Sequence, residues 1–170
     1  PISGEALASY THPQAIQVAG QERVWTLPQM SQSVDARFGA DTDGLIELAG
    51  YDLRREGNTV RLTLHWQALS TMDRHYAFFV HVADPVTGRP VTQIDSMPRS
   101  FTYPTGLWLP GEVVSDEVEL SLEDVPAGEY DVAIGWYDPD DPSQRLWAVD
   151  REGNRWPGDR LILADQLTVR

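Results

Sequence analysis

The sequence predicts an all-β fold, an antiparallel β-sandwich of jelly-roll type with about eight core strands. Three features carry that expectation. Val60, Leu62, Leu64 and Trp66 alternate with Arg61, Thr63, His65 and Gln67, the period of two that sends successive side chains to opposite faces of a strand. Comparable short segments recur along the chain, separated by turns rich in Gly, Pro, Asn and Asp. No stretch carries apolar residues at helical spacing.

Taken in order, residues 1–37 lack sustained periodicity and read as an N-terminal arm or linker, and residues 38–170 as the sandwich domain. Within the arm, residues 15–19 and 24–27 are candidates for an added edge strand. Residues 45–53 join 60–67 through Glu56, Gly57 and Asn58, a composition suited to positive φ, so the two segments read as a hairpin. Residues 76–83 are nearly all apolar, as suits a strand at a sheet centre with both faces buried. Asp84, Pro85 and Gly88 then turn the chain into 90–95, a second hairpin. Val118, Leu120 and Leu122 alternate with Glu117, Glu119 and Glu123, which places an acidic face in solvent. Pro126 and Gly128 lead into Tyr130, Val132, Ile134 and Trp136 on alternate positions. After a turn at 138–142, residues 145–149 and 161–169 supply the last strands.

Composition narrows the function classes. A net charge of −13 and 13 basic residues, all of them Arg, disfavour nucleic acid or an anionic bilayer as partner, because affinity for phosphates comes from Lys and Arg. There is no Cys, hence no disulfide framework and no thiolate metal site. No apolar run approaches the length of a membrane span, so this segment is not expected to insert directly. The chain opens on Pro1, and we read it as a segment of a longer protein.

A set of residues in order is similar to a bacterial β-sandwich module. It comprises Phe38 and Gly39, residues 48–53 (LAGYDL), 62–69 (LTLHWQAL), 79–82 (FVHV) with Asp84, 108–114 (WLPGEVV), Gly128 with Tyr130, 136–138 (WYD), and Arg145 with Leu146. The module it resembles is the C-terminal extracytoplasmic domain of multi-pass membrane proteins of the glycosyltransferase type. The resemblance spans residues 38–169. It implies a sandwich fold, a place on the outer face of a bacterial membrane, and the membrane-embedded part of the same parent chain as a partner. It brings no catalytic or binding residues with it.

The usual catalytic signatures are missing: no Gly-x-Ser-x-Gly elbow, no His-Glu-x-x-His and no phosphate-binding Gly-rich loop. The domain is therefore expected not to be an enzyme, with the reservation that sites assembled across strands leave no local motif. His81 and Asp84, with His65 on the polar face of a neighbouring strand, raise a dyad or metal reading. The structural alternative is preferred: His81 as a hydrogen-bonded histidine within a sheet, Asp84 as a turn former. Acidic loops at 41–44 and at Asp138, Asp140 and Asp141 are candidate sites for a structural calcium, although the first holds only part of the ligand series of an EF-hand. No other cofactor is implied.

The six Trp and six Tyr raise the alternative of a carbohydrate-binding module, since sugars stack their C–H faces on exposed aromatic rings. Trp66 and Trp136 lie in the apolar phase of their strands and are core. Trp108, Trp147, Trp156, Tyr103 and Tyr137 are the candidate stacking residues, and at least two must share one exposed surface. Trp108, between Leu107 and Leu109 in a Pro-bounded crossover, is read as a plug closing the sandwich edge in preference to a platform.

Overall fold

The computed structural model describes residues 22–170; residues 15–19 lie outside them. Eleven strands follow in order: β1 (Gln32–Gly39), β2 (Ile46–Glu56), β3 (Thr59–Ala68), β4 (Ala77–Ala83), β5 (Pro90–Ser96), β6 (Val113–Ser121), β7 (Gly128–Asp138), β8 (Asp141–Arg145), β9 (Trp147–Val149), β10 (Leu161–Ile162) and β11 (Leu167–Val169). They form two antiparallel sheets facing one another. The first runs β6-β3-β2-β1-β9. The second runs β10-β7-β4-β5, with β8 and β11 also paired to β7. No helix among the described residues is long and apolar enough to cross a membrane.

Both expected hairpins are present. β2 pairs with β3 around Gly57, at φ 60°, where a side chain would be strained and glycine is not. β4 pairs with β5 and β7, so every residue of β4 is buried, as its apolar run requires. The strand count exceeds eight because β1 is added and because the segments 145–149 and 161–169 are each divided in two. Arg145 pairs with Tyr137 in one sheet and Trp147 with Gly39 in the other, so the chain changes sheets at Leu146. Leu146 is buried there, and its N–H donates to the Trp136 carbonyl at 2.9 Å.

β1 begins at Gln32, inside the stretch read as an arm, and is an interior strand between β2 and β9. Of residues 24–27, only Val24 makes a bridge, to Val113 at the start of β6. From there the chain passes over the outer side of the first sheet to Ser31, whose N–H donates to Asp52 Oδ1 at 2.8 Å. Gly50 makes that crossing possible: a Cβ there would stand 2.0 Å from Met30 Sδ and 2.3 Å from the Gln32 carbonyl.

The core between the sheets centres on four rings. Trp66 and Trp136 meet edge to face at 4.9 Å between centroids; Phe78 lies 5.4 Å and Trp108 6.2 Å from Trp136. Trp108 is 1% exposed. Its indole N–H donates to the Tyr103 carbonyl at 3.1 Å, which satisfies the one polar atom that burying a tryptophan endangers. Tyr103 is 2% exposed, and its hydroxyl donates to Glu112 Oε1 at 2.6 Å. Neither ring is a stacking platform; both close the end of the sandwich.

Candidate functional site

A cleft of about 570 Å3 opens where the chain passes from β8 to β9. Its aromatic wall is Trp147, 37% exposed at the first position of β9, with Tyr76 at the entrance to β4. Around them stand Arg74, Asp138, Gln144 and Arg145. The β7–β8 hairpin supplies three of these side chains, Asp138 from the end of β7 and Gln144 and Arg145 from the end of β8, and the sheet change at Leu146 carries Trp147 round to meet them.

Each charged group is held in place. Arg74 Nη1 donates to Asp138 Oδ2 at 2.6 Å. Asp138 also accepts the Asp140 N–H at 2.9 Å, and that bond, followed by the Arg74 contact, holds its carboxyl below the usual range. Arg145 Nη1 donates to the Gly158 carbonyl at 2.9 Å, while its guanidinium lies 4.6 Å from the Phe79 ring centroid. Trp147 is braced from one side by Arg155, whose guanidinium sits 4.3 Å from its ring centroid. Asp159 in turn fixes Arg155 through two bonds of 2.5 and 2.6 Å, the fork geometry that orients a guanidinium most firmly. Burial, followed by the nearby Asp73 charge, raises the Tyr76 phenol above its ordinary pKa, so it faces the cleft as a neutral hydroxyl.

The five candidate aromatics are not brought together. Trp108 and Tyr103 are core, Trp147 is in this cleft, and Tyr137 is half-buried in a neighbouring recess of about 300 Å3 with His81, Gln93 and Asp95. Trp156 packs partly on the core and lines a third recess beside the 84–88 turn. Arg145 borders both the cleft and the Tyr137 recess. The sequence did not single out Tyr76, Arg74 or Gln144. Their one signal is position, since Arg74 and Tyr76 immediately precede the fully buried β4 and so must lie at an end of the sandwich.

The acidic loops behave as turns. Asp41 Oδ1 accepts from the Asp43 and Gly44 N–H groups, and Asp141 Oδ1 from the Ser143 N–H and hydroxyl. Asp138 accepts from Arg74, and among the described residues no three His, Cys, Asp or Glu are grouped to hold a metal. Asp84 caps its turn by accepting from the N–H groups of Val86 and Thr87. His81 is stacked on Phe79 at 4.4 Å and has no side-chain hydrogen bond among the described residues, contrary to expectation. Burial in that aromatic setting depresses its pKa. His65 stands on the other sheet and cannot join it.

No family model matches the chain, and no curated protein matches it.

Proposed function

We propose that this domain is a recognition module whose cleft at Trp147 binds carbohydrate without performing chemistry on it. The observation that carries the reading is the braced indole of Trp147 facing a ring of planar polar groups. Trp147 offers an apolar face for a pyranose, while Arg74, Gln144, Arg145 and the Tyr76 hydroxyl offer donors and acceptors at its rim. The lining charges balance, two Arg against Asp138 and Asp141, and so favour a neutral sugar. The resemblance to extracytoplasmic modules of glycosyltransferase-like membrane proteins supports placing such a module outside the cell, as an accessory to a membrane-embedded parent chain.

A glycan array with the isolated domain tests this, run with and without calcium. Binding that survives chelation and disappears in Trp147→Ala, while the variant keeps its melting temperature, is the expected result. An array without signal, or binding that Trp147→Ala leaves intact, would leave scaffolding for the parent chain as the better reading.

A further inference from the structure

A second cluster lies on the outer face of the first sheet, toward the β6 edge and away from β9. His65 in β3 stands directly opposite Ser115 in β6 and opposite Gly50 in β2. Its Nδ1 is 2.8 Å from Ser115 Oγ and its Nε2 is 3.2 Å from Asp52 Oδ2. Asp52 Oδ1 accepts from the Ser31 N–H and hydroxyl. His65 is 5% exposed, whereas Ser115 is open to solvent.

From this geometry we infer that Ser115 is an activated nucleophile, with His65 as its general base and Asp52 as the residue that positions the base. The Ser31 hydroxyl and then His65 hold the Asp52 carboxyl below its usual range, so it is ionised at neutral pH. An ionised Asp52 requires the proton on Nε2, which leaves the Nδ1 lone pair to accept from Ser115 Oγ–H. The pairing of the strands supplies the rest. Ala68 N–H donates to the Glu112 carbonyl, and Val113 N–H donates to Val24, so the Gln67–Val113 pair is one that exchanges no backbone bonds. Two residues on, His65 and Ser115 form the same kind of pair, the closer of the two in an antiparallel ladder. The Ser115 N–H therefore points to the outer edge of β6, where it has no backbone partner among the described residues. It can donate to an oxyanion formed on a carbon bonded to Ser115 Oγ.

The substrate class this suits is a small uncharged carboxylic ester approaching the edge of β6. Ser115 Oγ adds to the carbonyl carbon as its proton passes to His65 Nδ1, and the carbonyl oxygen takes the negative charge beside the Ser115 N–H. Collapse breaks the bond to the leaving oxygen, which departs as the alcohol with the proton from His65. Water then adds to the acyl carbon, gives its proton to His65, and the acid leaves as Ser115 Oγ regains that proton. This goes beyond sugar binding at Trp147 and does not depend on it.

A fluorophosphonate is the direct probe: Ser115 Oγ bonds to phosphorus, fluoride leaves, and the serine proton goes to His65. Ser121, exposed on the same strand with no histidine opposite, is the internal control. Intact mass followed by peptide mapping should show one adduct, at Ser115, formed at least ~100-fold faster than any at Ser121. His65→Gln should bring Ser115 down to the Ser121 rate. Asp52→Asn should slow labelling of Ser115 and alter its pH–rate profile while leaving the rate and profile at Ser121 unchanged, which an aspartate that only holds the Ser31 turn would not do. Equal labelling of Ser115 and Ser121 in the folded unsubstituted protein would overturn the proposal without recourse to any variant.

Discussion

Trp108 and Trp147 make an instructive pair. Each follows a leucine, each lies on a path by which the chain passes from the second sheet to the first, and each has an arginine near by. Yet Trp108 is sealed into the core and Trp147 forms the wall of an open cleft. What separates them is polar support. Around Trp108 the chain folds over Glu112, whose buried carboxylate accepts from Tyr103, from the Leu109 N–H at 3.0 Å and from Arg23. A carboxylate so satisfied can be buried and draws the 103–112 loop inward. Around Trp147 the corresponding polar groups, Arg155 and Asp159, satisfy each other at the surface and leave the indole outside.

That contrast sets the scale of the expected effects. Trp108→Ala should cost the most, about 3–5 kcal/mol, because it opens a cavity against Trp136; thermal denaturation measures it. Glu112→Ala should follow, at about 2–4 kcal/mol, since it leaves the Tyr103 hydroxyl and the Leu109 N–H without their acceptor. A loss below about 1 kcal/mol would mean that the Glu112 hub does not hold the loop. Trp147→Ala should change stability by only about 0.5 kcal/mol, and a larger loss would make Trp147 part of the core after all.

Asp116 offers a pH-dependent test of the same buried end. It points into the core from β6, accepts the Arg99 N–H through Oδ1, and has Oδ2 unpaired. Burial raises its pKa to about 6. The folded state thus binds this proton more tightly than the unfolded chain does. The stabilisation is complete below the unfolded pKa of about 4, and is lost as pH rises through 6, an effect of roughly 3 kcal/mol at most. Asp116→Asn keeps an acceptor for Arg99 and removes the charge. Its melting temperature should exceed that of the unsubstituted protein at pH 8 and converge with it at pH 4; parallel profiles would contradict the assignment. The turn it secures is unusual, with Arg99, Ser100 and Phe101 all at positive φ, and such a run of side chains in the left-handed region persists only where its surroundings hold it.

Alternation made most of the sheet legible. The phases of β3, β4, β6 and β7 follow directly from their residues, and the turn at Gly57 gives the register of β2 against β3. The sheet change at Leu146 was not legible, because residues 145–149 read as one continuous strand and only the pairing of Arg145 and Trp147 to different partners divides it. The Trp147 cleft was half legible: the tryptophan was singled out, but its polar neighbours come from the segment just before β4 and from the β7–β8 hairpin. The Ser115–His65–Asp52 line was hidden for the same reason. It runs across three strands, and the β3–β6 register depends on a long connection through Trp108 that no local pattern encodes.

The most direct test of the Trp147 account is a titration of the labelled domain with a sugar taken from the array, followed by backbone and indole amide shifts. The account predicts saturable shifts at the Trp147 indole, Gln144, Arg145 and Arg74, with the Trp108 indole and β6 unmoved. Shifts centred on His81, Gln93 and Asp95 instead, with Trp147 silent, would place the ligand in the neighbouring recess and contradict it.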